Sequence, residues 1–172
     1  MAESTKDLLR SEWEKIAPQL LRLIGAMGIS HGCREDVLQD VYLAAWQKGP
    51  VDVDPMQLQR WLIRVTVNRC KLEHRQRSRW QAVWRGLAAR PSRHGPGCGE
   101  AAAEEEHELV RRALAGLGPE ASSLLVLRYF MELDSAEIGR ILEQPDSTVR
   151  GKLREARKQL AWELKRAGYH YD

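Results

Sequence analysis

The sequence has 172 residues, of which 30% are charged, and its formal net charge is +3. No stretch approaches the roughly 20 apolar residues that a membrane-spanning helix needs, and the first residues lack the apolar core of a signal peptide. Cys33, Cys70 and Cys98 are widely spaced without a CxxC pair, which is typical of reduced thiols rather than of a disulfide scaffold. We therefore expect a cytoplasmic protein made of one domain or two small ones.

Charge is distributed unevenly along the chain. Residues 58–95 carry ten Lys or Arg and one acid, whereas residues 96–110 carry five Glu and no Lys or Arg. Residues 146–172 are basic again, with seven Lys or Arg and four acids. Two basic blocks separated by an acidic one indicate two contacts with polyanions on separate modules.

Apolar residues recur at helical spacing, and no strand pattern of useful length occurs, so we predict an all-α fold. The first helix is predicted at residues 5–27, where Pro18 predicts a kink or a break into two helices. The second helix is predicted at residues 33–47. Its inward stripe comprises Leu38, Val41, Tyr42 and Ala45. Its opposite face comprises Asp36, Gln39, Asp40 and Leu43. A solvated surface and a surface that meets a basic partner helix fit this face equally well.

A loop at residues 48–56 precedes a third helix, predicted from about Gln57 to about Trp80. Its predicted core side comprises Leu58, Trp61, Leu62, Val65 and Leu72. Its basic stripe comprises Arg60, Arg64, Lys71 and Arg75, with Asn68 at the edge. Cations beside an amide are typical of a helix that grips a nucleic-acid backbone and contacts unpaired bases. Arg69 falls on the apolar side, where we expect its stem to be buried and its charged end to reach solvent.

Residues 81–107 contain Gly, Pro and a run of Glu, which is typical of a linker. Because this segment is too long for a loop inside a compact domain, we place a domain boundary here. Helical spacing resumes at residues 108–118 and 119–131, with Pro119 suited to a first helical turn. This pair of segments is predicted to pack behind the residues that follow, with apolar mass from Leu124, Leu125, Leu127 and Tyr129.

Two short amphipathic segments follow, on either side of Pro145. Asp134 and Glu137 have the spacing of a capping box at the start of the first, and Asp146 or Ser147 is predicted to cap the second. The inward residues are Ile138, Ile141 and Leu142 in the first segment and Val149, Leu153, Ala156 and Leu160 in the second. The outward residues of the second are Arg150, Arg154, Arg157 and Lys158. This pattern favours a DNA-binding helix-turn-helix over an ordinary helical hairpin with a solvated basic face.

Other classes of function fit parts of the sequence. A metal or redox sensor would use His31, Cys33, Cys70 and His74, although Cys70 is more simply a small buried residue. A regulator that binds duplex DNA as a dimer would account for residues 119–160 alone. No nucleophile–base–acid set and no GxxxxGK phosphate loop is legible, so we expect no enzymatic activity and no cofactor.

Three stretches, in this order and spacing, resemble the sigma-70 family of bacterial transcription initiation factors. The resemblance is to the small extracytoplasmic-function (ECF) type, which retains only regions 2 and 4. REDVLQDVYLAAW resembles the polymerase-binding helix, and RWLIRVTVNRCKLEHRQRSR resembles the helix that binds and opens the −10 element. LGPEASSLLVLRYFMELDSAEIGRILEQPDSTVRGKLREARKQL resembles region 4, which reads the −35 element. The implied domains are region 2-like at residues 5–80 and region 4-like at 108–168, joined by the linker at 81–107.

The resemblance implies a factor that directs core RNA polymerase to promoters and assists promoter opening. Its implied partners are the β′ clamp helices and β flap of the polymerase, promoter DNA and an anti-sigma factor. The resemblance implies that the polymerase is bound by Asp36, Gln39, Asp40 and Leu43. It implies that the −10 element is bound by Arg60, Arg64, Asn68, Lys71 and Arg75. At the −35 element it places Arg150, Gly151 and Arg154 toward bases and Ser147, Thr148 and Arg157, with Lys158, beside phosphates.

Four positions depart from the family pattern. Arg69 replaces a small or apolar residue, and Glu143 stands where the family commonly has Gly at the turn. Gly151 stands where the family often has Ser, and Glu155 where it often has a base. An acid in this helix repels phosphate or accepts a hydrogen bond from a cytosine amino group. The resemblance therefore does not imply a particular promoter sequence.

Overall fold

The computed structural model describes residues 2–87, 110, 113, 114, 116–167 and 169. Within these residues the chain forms helices and turns without a β-strand, which confirms the all-α prediction. The N-terminal helices are α1 (Ala2–Ala26), α2 (His31–Lys48) and α3 (Pro55–Leu87). The C-terminal helices are α4 (Pro119–Leu125), which continues into a π-helical segment (Val126–Phe130), α5 (Ser135–Leu142) and α6 (Asp146–Arg166). None of the described helices has the length and apolar character that crossing a bilayer requires.

Helix α1 contains Pro18 within one continuous helix, so the predicted alternative of two helices is wrong. Proline removes one backbone hydrogen bond and crowds the preceding turn. Ile16 and Leu20, on either side of the proline, are both buried in the same core. Tertiary packing of this apolar face therefore holds the helix together across the proline.

Helix α3 is longer at both ends than its periodicity predicts. It begins at Pro55 rather than after a loop at residues 48–56. Asp54 Oδ1 accepts a hydrogen bond from the Gln57 N–H at 2.8 Å, and Gln57 Oε1 accepts one from the Asp54 N–H at 3.1 Å. This reciprocal pair has the geometry of a capping box, with proline at the first helical position. At the other end the helix continues to Leu87, so the first residues of the predicted linker are helical; residues 88–107 lie outside the described part of the chain.

The helix-turn-helix forms as predicted, with one change at its turn. Asp134 Oδ1 accepts a hydrogen bond from the Glu137 N–H at 2.7 Å, and the Glu137 carboxylate accepts one from the Asp134 N–H at 2.8 Å. The predicted capping box is therefore confirmed. The prediction that Asp146 or Ser147 caps the second helix is wrong, because Pro145 occupies the N-cap position and α6 begins at Asp146. The Asp146 carboxylate instead lies in the first turn, where the helix dipole favours negative charge.

One apolar core joins the N-terminal and C-terminal helices. It contains Leu20 of α1, Val41 of α2 and Leu62 of α3 together with Leu127 and Ile138 of the C-terminal part. Helix α3 lies against α4 and α5, and α1 lies against the π-helical segment. The two groups of helices are thus packed together, whereas their division into separate domains stays a prediction.

Burial differs from the prediction at three positions that matter for function. The spacing of apolar residues predicts Leu72 of α3 in the core, but it is 43% exposed, whereas its basic neighbour Lys71 is only 8% exposed. Helix α4 covers the face that carries Lys71, which the spacing within α3 does not reveal. Tyr129, also predicted in the core, is 59% exposed. The wider turn of the π-helical segment changes the angular position of the residues that follow, and Tyr129 and Phe130 lie on the outside.

Two glycines of the helix-turn-helix lie in opposite surroundings, which yields a paired prediction. A Cβ atom on Gly139 would lie 2.7 Å from the backbone oxygen of Gln144, whereas one on Gly151 would meet no atom within 4 Å. We expect Gly139→Ala to lower the free energy of unfolding by about 1–3 kcal/mol through steric overlap. Gly151→Ala should raise it by about 0.5–1 kcal/mol, because alanine favours the interior of a helix. Urea unfolding of both variants measures these changes, and equal effects would contradict the close approach of Gly139 to the turn.

Candidate nucleic-acid interface

Helix α6 presents a cationic outward face. Val149, Leu153 and Ala156 are buried on its inner side, so the i, i+4 spacing of the basic residues directs them to solvent. All positions predicted to meet the −35 element are exposed: Ser147, Thr148, Arg150, Gly151, Arg154, Arg157 and Lys158. The helix-turn-helix therefore presents these side chains on one exposed surface. Such a surface can contact bases in a DNA major groove.

Two contacts within this surface were not predicted. Arg150 forms an ion pair with the carboxylate of Asp146, one helical turn earlier. The other oxygen of Asp146, Oδ1, is buried without a hydrogen-bond partner. Lys152 reaches back to the turn, where its Nζ donates to Gln144 Oε1 at 2.9 Å. The i, i+4 spacing of Asp146 and Arg150 is the signal in the sequence that identifies the first of these contacts.

Arg157 and Lys158 also have neighbours on this surface. The Arg157 guanidinium lies 5.9 Å from the ring centroid of Tyr129, a distance that permits a cation–π interaction. The exposed Tyr129 therefore supports a cation of the candidate interface instead of contributing to the core. Lys158 Nζ lies 3.6 Å from Glu155 Oε2. Glu155, which stands where the family often has a base, is therefore held beside a base.

The residues of α3 predicted to meet the −10 element differ in accessibility. Asn68 is exposed, and Arg60 is half-buried, with its Nη2 2.9 Å from the sulfur of Met56. The other three cations pair with acids of the C-terminal helices. Lys71 and Arg75 pair with Glu120, and Arg64 pairs with Glu143.

Glu120 and Glu143 are the residues that sequence reasoning missed at this surface. Glu120 lies in the first turn of α4, and Glu143 is the residue at which α5 ends. Each is distant in sequence from its partner on α3, so no helical spacing connects them. The hydrogen bond from Lys71 is the main reason that the pKa of the Glu120 carboxyl is lowered, with nearby positive charges adding to the effect.

The outward face of α2 is exposed as predicted. Asp36, Gln39 and Asp40 are exposed, and Leu43, at the C-terminal end of the face, is 45% exposed. Arg69 of α3 reaches this surface, with its Nη1 3.7 Å from Asp40 Oδ2. Arg69 is half-buried, as expected for a covered stem, and this ion pair with α2 is where its charged end lies.

Two of the four candidate metal ligands, Cys70 and His74, have other roles. His74 Nε2 lies 2.6 Å from the carbonyl oxygen of Met27, a hydrogen bond at the end of α1. Burial raises the pKa of the Cys70 thiol to about 12, which keeps it protonated and makes it a poor metal ligand. No group of three or more ligating side chains occurs among the residues the structure describes; Cys98 lies outside them.

Stability should depend on the ionisation of Glu120. Because its pKa is lowered in the folded protein, its contribution is present above the ordinary pKa of a glutamate and is lost as the pH falls below it. We expect Glu120→Gln to lose less free energy of unfolding than the wild type between about pH 6 and about pH 3. Urea unfolding across this range tests the expectation, and parallel pH profiles of the two proteins would contradict it.

Comparisons with known proteins agree with this geometry. Residues 107–160 match the family model of sigma-70, region 4. The sigma factor RpoE of Bartonella quintana, solved in complex with the anti-sigma factor NepR, is 20% identical with a TM-score of 0.63, covering 91% of this chain and 96% of that chain. CnrH, solved in complex with the cytosolic domain of CnrY, is 22% identical with a TM-score of 0.58, covering 96% of this chain and 90% of that chain. No curated protein sequence matches the chain.

The match to region 4 covers the helix-turn-helix and the helix behind it, which is the part of the chain that carries the cationic face of α6. The likeness to the two solved structures extends over most of the chain and shows a shared fold. Residues 107–160 therefore match region 4 of the sigma-70 family, and the chain as a whole shares the fold of the two solved structures.

Proposed function

We propose that this protein is a sigma factor of the ECF type, a promoter-specificity subunit of RNA polymerase without enzymatic activity of its own. The proposal assigns one surface to each of three helices. Helix α2 binds core RNA polymerase, α6 reads duplex DNA at the −35 element, and α3 captures a single strand at the −10 element. The observation that carries the proposal is the exposed cationic face of α6 within the segment that matches region 4.

At the −35 element, the side chains of Arg150 and Arg154 point outward from the first half of α6. An arginine there can donate two hydrogen bonds to the major-groove edge of guanine. Gly151 lies between them with open space around it, so the helix backbone can approach the bases closely. Ser147 and Thr148, in the first turn, are suited to phosphate contacts because backbone N–H groups and the helix dipole favour anions there.

Polymerase binding is assigned to the acidic face of α2. Asp36 and Asp40 lie one helical turn apart, and the exposed side chain of Leu43 lies about one turn beyond Asp40. Protein interfaces commonly combine apolar area with charged groups at its rim. The acids favour a basic partner helix, such as one of the polymerase clamp helices, and the leucine supplies apolar area.

Promoter opening is assigned to the exposed amide of Asn68 and to the cations of α3. An amide can pair with the edge of an unstacked base, while the cations bind phosphates. The energy for strand separation then comes from polymerase binding and base capture rather than from nucleotide hydrolysis. The absence of a GxxxxGK motif in the sequence agrees with this source of energy.

We also propose that an anti-sigma factor binds this protein. RpoE was solved with the anti-sigma factor NepR, and CnrH was solved with the cytosolic domain of CnrY. Both share the fold of this chain, so the same helices are available here for a comparable partner.

Binding to core RNA polymerase is the first test of the proposed function. We expect the purified protein to co-elute with bacterial core polymerase, and Asp36→Ala/Asp40→Ala to weaken binding by at least about tenfold, which corresponds to about 1.4 kcal/mol or more. Gel filtration, followed by titration with a labelled protein, measures both. Asp7→Ala/Glu14→Ala on α1 removes the same number of exposed acids and should bind like the wild type.

A different outcome would favour the alternative of a helix-turn-helix regulator that binds duplex DNA as a dimer. If the wild type fails to bind polymerase but grips duplex DNA tightly as a dimer, the assignment of α2 and α3 to polymerase and single-strand binding is wrong. Equal weakening in both double variants would mean that net charge, and not the face of α2, determines binding.

A further inference from the structure

Helix α6 contains three acids, and they differ in how their carboxylates are held. Asp146 accepts a hydrogen bond from Arg150, and Glu163 accepts one from Arg166. Glu155 accepts no hydrogen bond within the part of the chain that the structure describes, and its side chain is 61% exposed. We propose that Glu155 selects a cytosine in the duplex that α6 reads. This proposal deepens the proposed function and rests on its assignment of α6 to duplex DNA.

Glu155 lies on the part of α6 that is assigned to bases. It follows Arg154 directly in the chain and comes one helical turn after Gly151, and all three residues are exposed. Residues four apart are neighbours on the surface of a helix. The Glu155 side chain therefore lies beside the open space at Gly151, where a Cβ atom would meet no atom within 4 Å. The edge of a base can enter this space.

A carboxylate in a major groove has one best partner among the four bases. An ionised carboxylate accepts hydrogen bonds and donates none. Cytosine presents the donor N4–H₂ in the groove, whereas guanine presents two acceptors and thymine presents a carbonyl oxygen and a methyl group. Adenine presents an amino group as well, but its acceptor N7 lies next to that group and repels the carboxylate. An acid at this position therefore favours cytosine.

The surroundings of Glu155 reduce its repulsion from the DNA phosphates. Lys158 Nζ lies 3.6 Å from Glu155 Oε2, which makes an ion pair at a distance too long for a hydrogen bond. Arg154 and Arg157 are exposed nearby. The cations offset the negative charge of the acid, while its oxygen atoms keep their capacity to accept from an amino group.

Gly151 supplies the close approach that a glutamate needs. A glutamate side chain is shorter than that of an arginine, so it touches a base only when the helix backbone comes nearer to the groove. A glycine one turn away permits this, because no side chain stands between the backbone and the bases there. Gly151 and Glu155 are therefore expected to act together in the choice of base.

A purely structural role of Glu155 predicts a different behaviour. An acid and a base three residues apart stabilise a helix slightly. If that were the whole role of the acid, removing it from a DNA-binding face would raise the affinity for every sequence alike, because phosphate contacts carry no sequence information. The preference for one base, measured separately from overall affinity, distinguishes the two roles.

Selection from randomised duplex DNA tests the proposal. The full chain is bound to core RNA polymerase and mixed with duplexes that carry a randomised segment of promoter length, and the bound DNA is sequenced. We expect the wild type to enrich an upstream motif and a downstream motif. At one upstream position, cytosine should be favoured about tenfold over thymine, which presents an acceptor in place of the amino group.

Substitutions at Glu155 should change the base that is enriched at this position. Glu155→Arg should replace cytosine by guanine, which offers two acceptors to a guanidinium group. Glu155→Gln should shift the preference toward adenine, because an amide both donates and accepts. The downstream motif should stay the same and serves as an internal reference. Glu132→Gln, the matched control, removes another exposed acid of the C-terminal helices and should keep the cytosine.

Gly151→Leu tests the part assigned to the glycine. The substitution places a side chain in open space on the surface of α6, so the variant should fold, which circular dichroism checks. It should weaken the preference for cytosine, because the backbone then stays further from the bases. An unchanged preference would overturn the part that Gly151 has in the choice of base.

The same upstream bases in the wild type and in both Glu155 variants would overturn the proposal. A uniform gain in affinity without a change of preferred base would overturn it as well and would assign Glu155 to the structural role. If the wild type enriches no upstream motif at all, the assignment of α6 to duplex DNA is wrong, and the proposed function fails with it.

Discussion

The burial of the Lys71 ammonium group against α4 is the interaction on which the relative placement of the two groups of helices depends. Removing an ammonium group from water is costly unless an acid pairs with it. Glu120 supplies that acid from the first turn of α4, and Pro119 sets where that turn begins. A displacement of α4 along α3 would leave the buried cation without its partner, so packing and electrostatics select the same arrangement.

This arrangement distributes accessibility unequally among the three proposed binding surfaces. The faces of α2 and α6 lie open to solvent, whereas on α3 the side chains of Lys71 and Arg64 are largely covered and that of Arg75 is exposed. Under the proposed function, the surfaces for polymerase and duplex DNA are therefore accessible, whereas the surface for a single strand is partly covered.

Local signals in the sequence predicted most of the helices and the exposed faces of α2 and α6. The capping box at Asp134 and the basic stripe of α6 depend on residues within one or two turns, where spacing determines geometry. The contacts of Lys71, Arg64 and Arg69 could not be predicted in this way. Each joins side chains on two different helices, and spacing within one helix does not reveal such a pair. The π-helical segment was missed for a related reason, since its altered turn depends on packing rather than on the pattern of apolar residues.

The ion pair between Asp146 and Arg150 has a consequence for the proposed reading of duplex DNA by α6. A tethered guanidinium explores fewer rotamers, so less conformational entropy is lost when it meets a matching base. Its charge is already partly balanced by the acid, which weakens the attraction to arbitrary phosphates along non-target DNA. Both effects favour discrimination over raw affinity, and the protein would pass quickly over the many sites that do not match its promoter.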